Sequence, residues 1–332
     1  MSDPSTGPRD KITLPGWHHV PDVPIRVSPF FSWPPDPRGM ASWILARWLG
    51  LAENVIVLAL AAISWVWFSP SLETAATLSP GWIALLWLRN MALMCLVAGG
   101  LHWFFYSRKG QGKRLKFDPR DLMKGGRQFT FGGQVRDNMF WSLGSGVAQW
   151  TGYEVLLLWA MGNGWAPVLS WQDSPIWFVL LFLLTPVWIS LHFYWVHRAL
   201  HWGPLYRLAH ALHHRNVNVG PWSGLSMHPV EHLIFFSSVL IHFLVPAHPL
   251  HILFHLKHQA LTAASSHTGF ENLLVRDKRR LALGTFHHQM HHRYFEVNYG
   301  NLEMPWDKWF GTFHDGTVDA HEALKDRRGR RG

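Results

Sequence analysis

The sequence predicts an all-α integral membrane bundle of about four transmembrane helices, with a histidine-rich helical cap on the cytoplasmic side. Three observations lead there: long apolar stretches, an uneven spread of positive charge, and histidines gathered in one third of the chain. Of 332 residues, 48% are hydrophobic and 15% charged, where soluble domains carry about 25% charged residues. Trp and His contribute 21 and 23 residues. The single cysteine, Cys95, rules out an intramolecular disulfide and argues against a cysteine-built zinc or iron–sulfur site. Any metal chemistry must therefore be histidine chemistry.

Residues 1–38 hold nine of the 21 prolines. Such a segment cannot sustain a helix, so it is expected to lie extended along the protein or membrane surface. A transmembrane region over residues 39–196 follows. Its apolar stretches at 43–68, 81–106, 139–161 and 175–196 approach the roughly 20 residues needed to cross a bilayer. Arg47, Glu53, Asn54 and Arg89 interrupt the first two, which implies snorkelling, mutual pairing or a shallow hairpin. A fifth apolar region, 233–256, carries Pro246 and Pro249 and reads as two short helices dipping into the interface.

The loops orient these spans. Residues 69–80 and 162–173 lack Lys and Arg, whereas 107–127, within a basic loop at 107–140, hold eight. The tail at 316–332 adds five more after Glu322. By the positive-inside rule both termini, the 107–140 loop and everything after residue 196 face the cytoplasm. The net charge of +9 is thus a topology signal helped by anionic lipid. Nucleic acid is not an expected partner, since no recognised binding motif accompanies the charge.

Eighteen of the 23 histidines lie between His192 and His292. His197 and His201 are four apart; His210, His213 and His214 stand at i, i+3 and i+4, and His288, His291 and His292 repeat that pattern beside His287. Residues three and four apart share a helix face, so each cluster presents two or three imidazoles to one point. Eight imidazoles exceed the four ligands of one tetrahedral zinc and suit two adjacent metals. Imidazole accepts Zn, Cu, Fe or Ni, so ligand type alone does not choose the metal. Soluble di-iron bundles use Glu and Glu-x-x-His; no carboxylate lies on these ligand faces, and a histidine-only dinuclear centre is expected.

The motifs Tyr194-Trp195-Val196-His197-Arg198-Ala199-Leu200-His201, His210-Ala211-Leu212-His213-His214 and His288-Gln289-Met290-His291-His292 resemble those of the fatty acid hydroxylase/sterol desaturase superfamily. His228-Pro229-Val230-Glu231, His267-Thr268-Gly269-Phe270, Asn298-Tyr299-Gly300 and the run Trp306–Thr312 extend the match across about 190–312, in the family's order. The resemblance implies a catalytic domain over 190–315 with two iron ions and O2 as co-substrate. The reaction would be hydroxylation of a C–H bond in a membrane lipid (acyl chain, head group or sterol-like ring), with desaturation as the alternative. It implies metal ligation by His197, His201, His210, His213, His214, His267, His288, His291 and His292. His192, His228, His232 and His287 stand open as ligands or as hydrogen-bond partners of ligands. One departure is His192, where family members often carry an acidic residue five positions before the first motif histidine; this leaves the orientation of that ligand in question. Asp307 and Glu303 read as supports of the fold or of the ligands.

Substrate would come from the bilayer, along a groove for which Phe178, Phe182, Phe193, Phe235 and Phe236 are candidates. No haem domain, flavin fingerprint or iron–sulfur motif is present in the sequence, so a separate ferredoxin or cytochrome-type electron donor is implied, with the basic loop a docking surface for an acidic one. The sequence is silent on oligomeric state. A different class, a non-enzymatic haem- or metal-binding membrane protein, would place single histidines across the spans, whereas these cluster after the fourth. A zinc hydrolase would carry a glutamate in the ligand helix, as in His-Glu-x-x-His, and none occurs.

Overall fold

A computed structural model describes residues 14–330. Pro4, Pro8 and Arg331, which belong to the proline-rich segment and the basic tail, lie outside the described residues.

Proline sets the helix starts. Its locked φ suits the first turn, and it holds the preceding residue extended. Pro37, Pro80, Pro175, Pro229 and Pro249 each open a helix. The first of them is α1 (Pro37–Trp48); after a break at 49–52 comes α2 (Glu53–Phe68), which starts without a proline. A short α3 (Leu72–Ala75) leads to α4 (Pro80–Ser107), part of which is wound as π-helix. Then come α5 (134–162), α6 (Pro175–Leu200), α7 (203–214), α8 (Pro229–Phe243) and α9 (Pro249–Ser266). An antiparallel hairpin of β1 (Asn272–Val275) and β2 (Lys278–Ala282) precedes α10 (Phe286–Tyr294), α11 (Trp306–Trp309) and α12 (Val318–Gly329).

By length and composition α4 and α6 can cross a membrane, and α1 with α2, bent by 41°, makes a third span if the pair counts as one. The apolar stretch expected as a further span, 139–161, is helical but falls short of this class, because α5 carries Gln149, Thr151 and Glu154. Two of the charges that interrupt the first two stretches, Arg47 and Arg89, are paired, though not with Glu53. Arg89 on α4 reaches Glu154 of α5 at 2.5 Å, both buried, and Arg47 reaches Glu303 at 2.5 Å.

The 233–256 region does divide into two helices at the prolines, but the second does not lie at an interface. Helix α9 is the buried axis of the protein, packed against α2, α5 and α6. The described part of the N-terminal segment, from Leu14, lies against the protein: Ile25 N–H donates to the Asp315 carbonyl at 2.8 Å and Ser28 N–H to that of Leu302 at 2.9 Å. Leu14 and Trp17 pack beneath it against Phe286 and Tyr294. The basic loop also belongs to the body of the protein, since Phe117 N–H donates to the Gly269 carbonyl and Lys116 is buried.

Candidate metal centre

The C-terminal end of α6 aims His197 inward, and His201 follows at its cap. Helix α7 supplies His210, His213 and His214, the end of α9 supplies His267, and α10 supplies His288, His291 and His292. These nine form two adjoining groups: His197, His201, His210, His214 and His291, and His213, His267, His288 and His292. Within each group one nitrogen from every ring lies within 4.8 Å of the others. In the first, Nε2 atoms stand 3.0 Å apart for His197–His210 and 3.1–3.2 Å for His210–His201, His201–His214, His201–His291 and His214–His291. In the second, His267, His288 and His292 form a triangle with every side 3.1 Å.

The opposite ring nitrogens explain this convergence. The Nδ1–H groups of His197, His291 and His267 donate to the carbonyls of Tyr299 (2.5 Å), Val297 (2.7 Å) and Ala263 (2.8 Å), and that of His213 to Ser226 (3.3 Å). His210 Nδ1 bonds the Glu231 carboxyl at 2.7 Å. With the proton on Nδ1, each Nε2 presents a lone pair to the others. Lone pairs gathered at about 3 Å repel unless a cation sits among them, and ligands about 2.1 Å from one ion stand about 3 Å apart on neighbouring vertices. The residues therefore fit a pair of histidine-bound metal ions.

Burial prepares the rings for this role. Desolvation holds His201 and His267 at about 3 and His213 at about 4, with neighbouring imidazoles adding to the effect at His201 and His267. His210, His214, His288, His291 and His292 lie well below the ordinary value for the same two reasons. All are neutral at pH 7, the form that binds metal. Desolvation pushes Glu231 well above the usual carboxyl range; a cation on His210 would favour its ionised form.

The backbone that receives these protons is itself built for the purpose. After α10, Phe295 and Asn298 take positive φ and turn the chain back so that the Val297 and Tyr299 carbonyls face the ligands. Asp307 accepts from the Tyr299 and Gly300 N–H groups at 2.8 and 2.7 Å, consistent with the supporting role expected of it. A Cβ on Gly224 would lie 2.0 Å from the Ala263 carbonyl oxygen, the acceptor of His267.

Four sequence candidates stand outside both groups. His192 bonds the Ser237 hydroxyl at 3.0 Å. His228 caps α8, accepting from Val230 N–H at 3.3 Å. His232 lies between the Leu225 carbonyl (3.0 Å) and the Ser145 hydroxyl (3.1 Å), and His287 faces Asp307 at 3.8 Å. The residue missed from sequence is Glu231. Well separated in sequence from the His210–His214 cluster, it is brought beneath His210 only by packing of α8 on α7, although it stands in the His-Pro-Val-Glu motif. It gives this centre a carboxylate that the ligand faces themselves lack.

A cavity of about 420 Å³ runs from the centre, where His197, His210, His213, His267 and His288 form one wall, to the break between α1 and α2. Phe193 and Phe235 line it. Phe178, Phe182 and Phe236 instead pack in the core.

Residues 180–312, which hold all nine converging histidines, match the fatty acid hydroxylase family. The chain is 27% identical to the Delta(7)-sterol-C5(6)-desaturase of Nicotiana tabacum over 240 residues, 69% of this chain and 83% of that protein. It is 31% identical to a Delta(7)-sterol 5(6)-desaturase of Saccharomyces cerevisiae over 36% of this chain and 32% of that one. With a methylsterol monooxygenase of Aspergillus fumigatus it shares 31% identity, over 46% of this chain and 50% of that one. The match thus spans a third to a half of the two fungal proteins. No solved structure matches the chain. Motif order, converging ligands and these relatives agree on a fatty acid hydroxylase-like segment over residues 180–312.

Proposed function

We propose that the protein is a membrane oxidoreductase that uses O2 to oxidise a C–H bond of a sterol-like or acyl lipid, by hydroxylation or by desaturation. The observation that carries this reading is the cavity: its inner wall is made of ligand imidazoles and much of the rest is apolar, so an apolar chain or ring can lie beside the centre. The printed names of the relatives, sterol desaturases and a methylsterol monooxygenase, support the lipid class and leave both outcomes open.

In this reading His197, His201, His210, His214 and His291 hold one iron, and His213, His267, His288 and His292 hold a second. Iron, when bound, supplies the activation of O2 that an unactivated C–H bond requires. The chain's own residues hold the rings of His197, His210, His213, His267 and His291 through Nδ1, keep water from the buried centre and position the lipid. Hydroxylation takes up two electrons and two protons per O2 and yields an alcohol and one water; desaturation takes up the same and yields an alkene and two waters. The electrons come from a separate ferredoxin or cytochrome-type protein, for which the exposed Arg108, Lys109, Lys113 and Lys124 offer a docking surface. The loop charges put the centre and both termini on the cytoplasmic side. Residues 190–315 act as the catalytic unit on a membrane region formed by 39–196.

Lipid mass spectrometry of aerobic cells with and without the gene tests this reading. A lipid that gains one oxygen atom, or loses two hydrogens, only when the gene is present is expected. An unchanged lipid profile, with iron bound and an electron donor supplied, would overturn it.

A further inference from the structure

Of the residues that line the cavity, only Ala46, Leu51 and Ala282 are exposed, and they lie on unlike rims. Ala282 ends β2 beside the exposed Lys278, Arg279 and Arg280. Ala46 and Leu51 stand at the junction of α1 and α2, beside the exposed Ile44, Leu45 and Leu49. One rim is charged and the other is hydrocarbon. The hydrocarbon rim is continuous with the span that α1 and α2 form together.

The two helices at this junction are held very differently. Helix α2 starts anchored to α9: Glu53 accepts from the Ser265 hydroxyl, Asn54 Oδ1 accepts from His258 Nε2 at 3.1 Å, and Val57 and Ala61 are buried. Helix α1 has no buried residue. Its last residue, Trp48, packs on Phe254 of α9. One turn earlier its hold on the body is the Glu303 carboxylate, which accepts Trp43 Nε1 on one oxygen at 3.0 Å and Arg47 Nε on the other at 2.5 Å. The Arg47 guanidinium lies 3.4 Å from the centre of the Trp43 ring. Arg47 and Glu303 both line the cavity, so this contact joins α1 to the segment before α11 at the cavity wall. Between the anchored helix and the loose one stands Gly50, at φ +68°, where a Cβ would meet nothing within 4 Å. Glycine adopts that conformation freely, and few buried contacts make α1 the part of this wall that opens most easily.

We propose that the α1–α2 junction is the port through which the lipid enters sideways from the bilayer, and that α1 is its lid, turning about Gly50 and held shut by Glu303. The proposal rests on the lipid-oxidising reading and deepens it by naming the route of the substrate. Lipid tails are as apolar as the side chains they would replace, so lifting the outward face of α1 costs little by itself. What opening gives up is chiefly the pair of contacts on Glu303, which makes Glu303, Trp43 and Arg47 residues that set the rate of entry.

The test is timed photo-crosslinking of the full-length, iron-loaded protein in phosphatidylcholine nanodiscs, with adducts mapped by mass spectrometry. The probes are a diazirine-bearing sterol and a diazirine-bearing stearic acid, delivered from vesicles and later withdrawn into an excess of probe-free vesicles. Ile44 and Leu45 are expected to take adducts as soon as the probe enters the bilayer, and Met227 and Phe235, on the buried wall of the cavity, more slowly. Ala46→Trp, which crowds the rim, should slow both filling and emptying of the cavity about tenfold. Glu303→Gln and Trp43→Phe should speed both by about two- to fivefold, the scale of a partly exposed ion pair, with final occupancy and bound iron as in the wild type. Equal change in both directions marks a lid; an altered occupancy with unaltered rates would mark a binding residue and overturn the proposal. So would slowing by Ala282→Trp in place of Ala46→Trp, or an α1 that takes no adduct because water or a second copy of the chain covers it. A wild-type inner wall that never takes either probe would count instead against the lipid-oxidising reading. If Ala46→Trp fails to fold, the two Glu303-contact variants and the wild-type adduct map decide the matter.

Discussion

Two sets of histidines share this chain, and they differ in what their outer nitrogens do. His248, His251, His255 and His258 stand at the cap and along α9 at spacings as ligand-like as those of α7 and α10, and His251 and His255 are as deeply buried. Yet they form no metal group among the described residues. His248 caps its helix, accepting from Leu250 N–H at 3.1 Å. His251 donates to the Phe178 carbonyl at 2.9 Å. His255 is used from both sides, by the Ser238 hydroxyl at 2.8 Å and by His242 at 3.1 Å. In the metal centre hydrogen bonds tie Nδ1 of His197, His210, His213, His267 and His291 and leave Nε2 facing the other rings; on α9 they occupy nitrogens of His248, His251 and His255 that a metal would need. Helical spacing is therefore necessary for a ligand set, but the deciding feature is where neighbouring carbonyls meet the ring.

The comparison can be broken most sharply at the centre. His292→Ala removes one corner of the His267–His288–His292 triangle, and activity should fall at least a hundredfold with loss of bound metal. Metal analysis beside circular dichroism checks this, and full metal content in that variant would contradict the assignment of His292.

Glu231→Gln should act less severely, because it weakens the group that orients His210 without removing a ligand. A loss of about 10–100-fold in metal affinity or activity is expected, as for other partners of metal-bound histidines. Metal titration by competition with a chelator measures it.

Acid should separate the two sets by a smaller, graded effect. Free imidazole takes its proton near 6.5, whereas burial holds His213 to about 4. Between these values the unfolded chain binds more protons than the folded one, so stability rises with pH there. It is lost as pH falls from about 6.5 towards 4, and metal should leave over the same window because protons compete for Nε2. Metal content and melting temperature in detergent, followed across that range, test the sign; metal retained unchanged at pH 4 would refute it.

The smallest effect is expected on α9. His255→Gln should cost about 1–3 kcal/mol of stability through loss of buried hydrogen bonds and leave metal content as it was. A metal-depleted but well-folded His255→Gln protein would erase the distinction between the two sets.

Much of the fold is legible in the residues themselves. Prolines at positions 37, 80, 175, 229 and 249 announce helix starts, and the apolar runs that become α4 and α6 announce spans, because both signals depend on neighbours in sequence. The nine converging histidines are legible too, since i, i+3 and i+4 spacing places rings on one face before any tertiary contact forms. Stretch 139–161 reads as a span because its apolar count hides Glu154, whose partner Arg89 lies on another helix. Region 233–256 reads as interfacial because its histidines suggest water, whereas inside the protein they find carbonyls and hydroxyls.

What the sequence by itself determined is local: helix starts, the two apolar spanning helices, and which faces carry imidazoles in pairs and triplets. Tertiary structure alone decided which histidines meet, because that depends on α6, α7, α9 and α10 arriving at one point from stretches up to about 90 residues apart. It also decided that Glu231 stands behind His210. The physical reason is the same in each case. A hydrogen bond or a metal ligand is specified by position in space to within a few tenths of an ångström, and a linear pattern carries that information only along a single helix.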